Sequence, residues 1–344
     1  MRFATWLRRP IVWLPISIGL LGLLVWRTRP WDALALRAVD PAPLLSAAAL
    51  SGLVAILWAL RSAALLRAAS RPVAVAPLIP MTAFANTINN LTPGSAGEVV
   101  RMYLLRAHHR VDYATSGAVI VVERVGAIGY LSTSAVLAWL TWLGVIPVPL
   151  ALLVVVALAV GPGLVYRTSI RPLVVVRALP LGRLVGVDRW ARLSDWLRRV
   201  DDTVARLLGR PGPLASFVVT TAAIFATYTT QLLLVGVALG IAIDPLAAWG
   251  ALGIATTIGV LSLLPFGLGT TDLSLVALLG VAGVPAGAAV AVSLGYRLVS
   301  TLPLGIAGVA SYAWLSSRLP GAGMGEATRA IGSTLDDADP IPER

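Results

Sequence analysis

The chain has 344 residues, 58% of them hydrophobic and 12% charged, with a mean hydropathy of +0.85. That balance excludes an ordinary soluble globule, leaves no room for a large soluble catalytic domain, and makes a polytopic membrane protein the expected class. The net charge of +11 comes from arginine without any lysine, and the arginines gather between apolar stretches. Membrane topology and anionic headgroups account for them there, so nucleic acid is not an expected partner.

Residues 11–26 form the first apolar span. Arg2, Arg8 and Arg9 precede it, and Arg27 and Arg29 separate it from Ala33-Leu34-Ala35. Charges in that place argue for a retained anchor rather than a cleaved signal peptide. The second span covers 43–66, with Arg61, Arg67 and Arg71 read as its basic flank. Residues 73–105 are apolar but interrupted by Asn89-Asn90-Leu91-Thr92-Pro93-Gly94-Ser95-Ala96-Gly97-Glu98. Spans three and four cover 115–142 and 149–166, joined by the uncharged stretch 143–148. The arginine-rich loop from Arg167 to Arg210 follows. Within it, Leu184, Trp190, Leu193, Leu197, Val200, Val204 and Leu207 recur at spacings of three and four, with arginines and aspartates on the other face. This predicts an amphipathic helix over about 184–208, lying on the cytoplasmic surface against lipid headgroups. The fifth span is 214–240. The apolar stretch 246–284 is interrupted by Leu264-Pro265-Phe266-Gly267-Leu268-Gly269-Thr270-Thr271-Asp272, and 286–314 is the sixth span. The segment 319–344, rich in glycine and then acidic (Asp336, Asp337, Asp339, Glu343), is expected to be a disordered cytoplasmic tail.

The arginine distribution places both termini on the cytoplasmic side of a cell (inner or plasma) membrane. That assignment requires each interrupted stretch to dip into the membrane and return to the side it entered from. Pro265, Gly267 and Gly269 would each weaken a continuous helix, although a double crossing by 246–284 is the alternative. The expected fold is therefore all-α, with about six transmembrane helices and two re-entrant helical hairpins. These form an integral membrane domain, 1–318, in two inverted halves of about 1–145 and 146–318. Irregular backbone at membrane depth survives only where it lines a cavity or is buried in protein. Paired interruptions of this kind mark a substrate site between repeats.

Charges inside these spans sharpen the expectation. A central charge facing lipid costs about 2.5–3.5 kcal/mol, so Glu98, Arg101, Glu123, Arg124, Asp272 and Arg297 must pair or face water. Ser116, Glu123, Ala127, Tyr130 and Ser134 fall on one helical stripe, and Ser293, Arg297, Ser300 and Thr301 on another. Thr220, Thr227, Tyr228 and Gln231 offer a third polar face. Glu98 and Arg101 share a face of the helix leaving the first loop, where the freed amides favour an anion. Asn86, Asn89 and Asn90 could supply amide donors and acceptors. Three acids against three arginines suit neither a cation nor an anion pore. They suit a phosphate-bearing headgroup, with Arg124 and Arg297 on the phosphate, and Glu98 and Asp272 on polar groups or a coupling proton. Ion pairs that merely hold helices together are the structural alternative. The chain has no cysteine, and its only histidines, His108 and His109, are neighbours that point about 100° apart on a helix. No metal or other cofactor is expected, and no ATP-binding motif is present.

These residues resemble the transmembrane flippase-like family named after the membrane half of lysylphosphatidylglycerol synthases. The resemblance is carried by Asn90-Leu91-Thr92-Pro93-Gly94-Ser95-Ala96-Gly97-Glu98-Val99-Val100-Arg101, by Glu123-Arg124, and by Leu264 to Asp272, and it extends from about residue 10 to 318. The family often has Glu where this chain has Asp272, and Gly where it has Ser95. The resemblance implies a lipid flippase or transporter that moves a lipid with a polar or phosphate-bearing headgroup between leaflets through a central polar cavity. It implies no enzyme, because the family's lysyl-transfer activity belongs to a separate soluble domain. Members of the family also accompany glycolipid, hopanoid and polyprenyl-phosphate-sugar pathways, so the resemblance implies membrane lipids as partners, a glycolipid or polyprenyl-phosphate-linked substrate among them, without selecting one. The rival readings are a membrane-embedded enzyme with Glu123 or Asp272 as general base, and a non-catalytic membrane partner of a glycosyltransferase docked through the 184–208 helix.

Overall fold

The computed structural model describes Gly19, residues 22–28, Trp31, 39–92, 96–167, 187–262, Leu264 and 267–318. Most of the expected first span and the whole of 319–344 lie outside the described residues, as do Pro93, Gly94 and Pro265. Among the described residues every regular element is helical. In chain order these are α1 (Pro41–Ala68), α2 (Val75–Leu91), α3 (Ala96–His109), α4 (Tyr113–Val121), a π-helical turn (Val122–Gly126) and α5 (Ala127–Trp142). They continue with α6 (Val148–Arg167), α7 (Val187–Leu208), α8 (Pro211–Ala238), α9 (Pro245–Leu261), α10 (Thr270–Val281) and α11 (Ala286–Arg318). A short helical piece at 22–28 precedes them.

Helix starts are written in the sequence. Proline opens α1 and α8, where its missing N–H costs nothing. Aspartates supply the N-caps elsewhere: Asp40 accepts from Ala42 N, Asp112 from Thr115 N, and Asp244 from Leu246 N and Ala247 N. At 1.5 Å per residue a crossing of roughly 30 Å takes about 20 residues. Among the described residues four stretches exceed that and are apolar enough to cross: Pro41–Ala68, Tyr113–Trp142, Pro211–Ala238 and Ala286–Arg318. The arms around the two interrupted loops are shorter, with 17 and 14 residues in α2 and α3, and 17 and 12 in α9 and α10. Within each pair the arms pack on one another.

The helices repeat in length and spacing. α1 and α8 have 28 residues each, and α2 and α9 have 17 each. Their starts and ends all lie 170 positions apart: 41 and 211, 68 and 238, 75 and 245, 91 and 261. Beyond the loops the helix starts lie 174 and 173 positions apart, as α3 (96) matches α10 (270) and the α4–π–α5 stretch (113) matches α11 (286). Neighbours repeat as well: α2 packs on α11, α9 packs on α5, and α1 and α8 lie along each other.

Lipid is as apolar as leucine, so helices in a membrane associate through close packing of small residues. Ala47, Ala59, Ala63, Ala135, Ala248 and Ala289 are fully or almost fully buried. Trp139 lies against Gly250, where a Cβ would be tightly pressed, and Ala135 against Gly253, where one would collide. Large apolar side chains such as Leu153, Val219, Ile306 and Val309 stay more than half exposed, the surface a hydrocarbon solvent would cover.

The amphipathic stretch requires one correction. Val200, Val204 and Leu207 of α7 are buried in a core shared with Leu65, Leu66, Val119 and Phe217. Trp196 packs over Gly117, where a side chain would block it. This part of the apolar face is covered by protein, with α7 packed on α4. Periodicity reports that a face is apolar but not what covers it.

Candidate functional site

The polar residues converge on one cavity of about 510 Å³, lined by α1, α2, α3, the π turn, α5, α8, α9, α10 and α11. In the first half, Glu98 opens α3 just beyond the first loop and is 6% exposed. Its Oε1 accepts from Asn89 Nδ2 at 2.9 Å and from Arg124 Nε at 2.7 Å, with Arg124 Nη2 closer still. Arg101 Nη2 lies 3.0 Å from Glu98 Oε2 and donates to Glu123 Oε2 at 2.5 Å. Ser62 donates to Glu123 Oε1 at 2.5 Å and accepts from Arg101 Nη1 at 3.3 Å. Arg124 Nη2 also donates to Asn86 Oδ1 at 3.1 Å.

The π turn explains how the adjacent Glu123 and Arg124 serve one network. On a regular α-helix neighbours diverge by about 100°. The wider Val122–Gly126 turn inserts one residue, a feature that often marks functional positions in helices. Gly126 also lets Phe217 press against this turn, since a Cβ there would meet the ring.

In the second half, Asp272 lies in the first turn of α10, beyond a loop in which Gly269 takes φ +84°. That conformation suits glycine and aims the Gly269 N–H at Asp272 Oδ2, 3.0 Å away. Arg297 donates Nε to Oδ1 at 2.6 Å and Nη2 to Oδ2 at 2.7 Å, a two-pronged pair. Ser293 adds a bond to Oδ1 at 3.0 Å, and Arg297 Nη2 reaches Gly267 O at 3.4 Å. Glu98 and Asp272 occupy matched positions of the helix repeat, as do Arg124 and Arg297. The same carboxylate–arginine pair therefore stands once in each half.

Of the residues singled out from sequence, Asn86, Asn90, Glu98, Arg101, Glu123, Arg124, Gly267, Asp272 and Arg297 line the cavity. Gly97 instead forms the crossing of the first two arms, pressed against Ala85 O and Asn89. Of the third polar face, Tyr228 lines the cavity, whereas Gln231 is buried in packing and donates to Ala47 O and Ser51. Thr221 takes the lining position expected of Thr220. His108 and His109 lie at the end of α3, away from the cavity; burial lowers both imidazoles below the ordinary 6.5, and the neighbouring His108 lowers His109 further.

Arg61, expected to flank its span, instead lines the cavity with a side chain only 13% exposed. It donates Nη1 to Thr221 Oγ1 at 3.3 Å and lies 3.9 Å from Glu123 through Nε. Four arginines and three carboxylates thus line the cavity, leaving one net positive charge. The overlooked signal was helical continuity: α1 runs to Ala68, which sets Arg61 about two turns inside its end.

Comparison with known proteins identifies a membrane-protein family for this chain. A family model described as lysylphosphatidylglycerol synthase TM region matches residues 11–308. A protein of Methanothermobacter thermautotrophicus named "UPF0104 membrane protein" is 27% identical over 311 residues, covering 82% of this chain and 88% of that relative.

Proposed function

The chain is a membrane protein belonging to the lysylphosphatidylglycerol synthase transmembrane-region family, and from that premise we propose that it moves a lipid with a phosphate-bearing or otherwise polar headgroup between leaflets. One observation carries the reading: matched pairs, Glu98–Arg124 and Asp272–Arg297, face a single cavity with a net positive charge. In this reading the two loop-bearing helix pairs are re-entrant hairpins entering from opposite faces of a cell membrane, both termini are cytoplasmic, and the halves are inverted. The short arms support it, because the 14 and 12 residues of the outgoing arms fall below the length of a crossing and the 17 of the incoming arms stand at its lower limit.

Lipid tails would stay in the bilayer while the headgroup crosses through the cavity. A bare phosphate cannot enter hydrocarbon, but it can replace a carboxylate on an arginine with little change in charge balance. Each arginine then exchanges one anionic partner for another, and the released carboxylate accepts a hydroxyl, an amine or a proton from the headgroup. Gly267 and Gly269, both at positive φ, belong to the bend of the second hairpin, which would move during this exchange. The energy source would be an ion gradient or consumption of the flipped lipid.

Lipid flipping in proteoliposomes tests this, with headgroup-labelled phospholipids and polyprenyl-phosphate sugars. Native protein is expected to accelerate leaflet exchange of at least one phosphate-bearing lipid, and the combined Arg297→Ala/Asp272→Asn variant to abolish it. Equal exchange with folded variant and native protein overturns the reading.

A further inference from the structure

The two matched pairs are unequal in a way that places the anion. Asp272 and Arg297 are closed on each other, with side chains 2% and 16% exposed. The first half holds three cavity arginines, Arg61, Arg101 and Arg124, against only Glu98 and Glu123, so the net positive charge belongs to that half. Arg101 is buried between the two glutamates. Arg124 is 41% exposed despite its pairing with Glu98. Arg61 has a buried Nε without a hydrogen-bond partner, and Glu123 is too distant to provide one. The second half holds Gln231 at the position matching Arg61, turned into helix packing instead.

A buried guanidinium N–H without an acceptor carries an uncompensated desolvation cost. Arg61 is held in place by Thr221 and by the Phe217 ring beneath it, 5.9 Å from its guanidinium carbon. The Nε is enclosed, so an anionic oxygen meets Arg61 at the part of its side chain that stays 13% exposed, and a small turn of the guanidinium gives Nε its acceptor. We propose that Arg61, together with the water-accessible edge of Arg124, forms the anion subsite that receives the headgroup phosphate, and that Asp272–Arg297 serves as the closed latch of the opposite half. This rests on the translocation reading for its role in transport but not for its existence as a phosphate site. The ligand class is a phosphomonoester or phosphodiester on a lipid, and a neutral lipid is excluded from the subsite.

The test uses the full chain in a non-ionic detergent. Thermal-shift titrations are run with short-chain phosphatidic acid, short-chain phosphatidylglycerol and a short-chain diacylglycerol. The two phosphate-bearing lipids are expected to raise the unfolding temperature saturably and the diacylglycerol to leave it unchanged. Arg61→Gln, which installs the second half's own residue, is expected to weaken the anionic lipids about tenfold, the worth of a charged hydrogen bond. The surface control Arg71→Gln keeps native affinity. If Arg61→Gln is not monodisperse, Arg61→Lys replaces it, with a loss of at least about threefold because an ammonium cannot offer two fixed N–H groups. Native affinity in the folded Arg61 variant, or an equal response to diacylglycerol, overturns the subsite. Arg61-dependent binding without flipping retains the subsite and removes the transport reading. Flipping that is indifferent to Arg61 does the reverse.

Discussion

The two loop-bearing helix pairs solve the same packing problem with the roles of their arms exchanged. In the first, Gly97 on the outgoing arm faces Asn89 and Ala85 O on the incoming arm. In the second, Gly259 on the incoming arm faces Thr271 on the outgoing one. By the helix repeat, position 97 matches 271 and position 89 matches 259, so glycine and side chain have traded places across one crossing. A pair of arms needs one small residue at the crossing, and either arm can supply it. The carboxylate that follows, Glu98 or Asp272, is thereby delivered to the same place in each half.

The first way to break this comparison is to remove one carboxylate at a time. Asp272→Asn removes the charge from a mostly enclosed two-pronged pair and leaves Arg297 with weaker acceptors such as Gly267 O, which should cost about 3–5 kcal/mol. Glu98→Gln should cost less, because Arg124 reaches water and Arg101 keeps Glu123. Unfolding by titration with a denaturing detergent measures both, and equal losses would contradict the asymmetry between open and latched halves.

Crossing geometry gives the next effect. Gly259→Ala and Gly97→Ala should each destabilise by about 1–3 kcal/mol through overpacking. Adding Thr271→Ala should restore most of the Gly259→Ala loss, since the obstacle is chiefly a side-chain hydroxyl. Adding Asn89→Ala should not rescue Gly97→Ala, since the Ala85 carbonyl remains in the way. Rescue in both pairs would show that the exchange of roles is incidental.

The smallest effect concerns the residues that end α1 and α8. Ser70 and Gly240 are matched positions, and both take φ +63°. Serine bears a steric cost there that glycine does not, so Ser70→Gly should stabilise and Gly240→Ser destabilise by about 1 kcal/mol each. The same unfolding measurement checks the signs.

Much of the site was legible because charge inside apolar sequence is costly: Glu98, Glu123, Arg124, Asp272 and Arg297 stand out against their surroundings. The loops were legible because proline and glycine interrupt otherwise continuous helix. Arg61 was not, because an arginine near a span's end looks like topology until the helix is seen to continue past it. The π turn was also hidden, since a residue inserted into a helix leaves no mark except two adjacent charges that one network must serve. The repeat of 28- and 17-residue helices escaped because matched positions conserve geometry more than residue type, as Asn89 against Gly259 illustrates. For α7, sequence gave the apolar face, and only the fold shows Trp196 and Val200 turned onto the protein.

That the cavity's cations are all arginine has a chemical consequence. A guanidinium does not surrender its proton in a protein, unlike the ammonium of a buried lysine. The four positive charges are thus fixed, and only the three carboxylates can gain a proton. Acid can make this chamber more attractive to an anion but never less, because any proton it takes up enters on an acid and releases that acid's arginine.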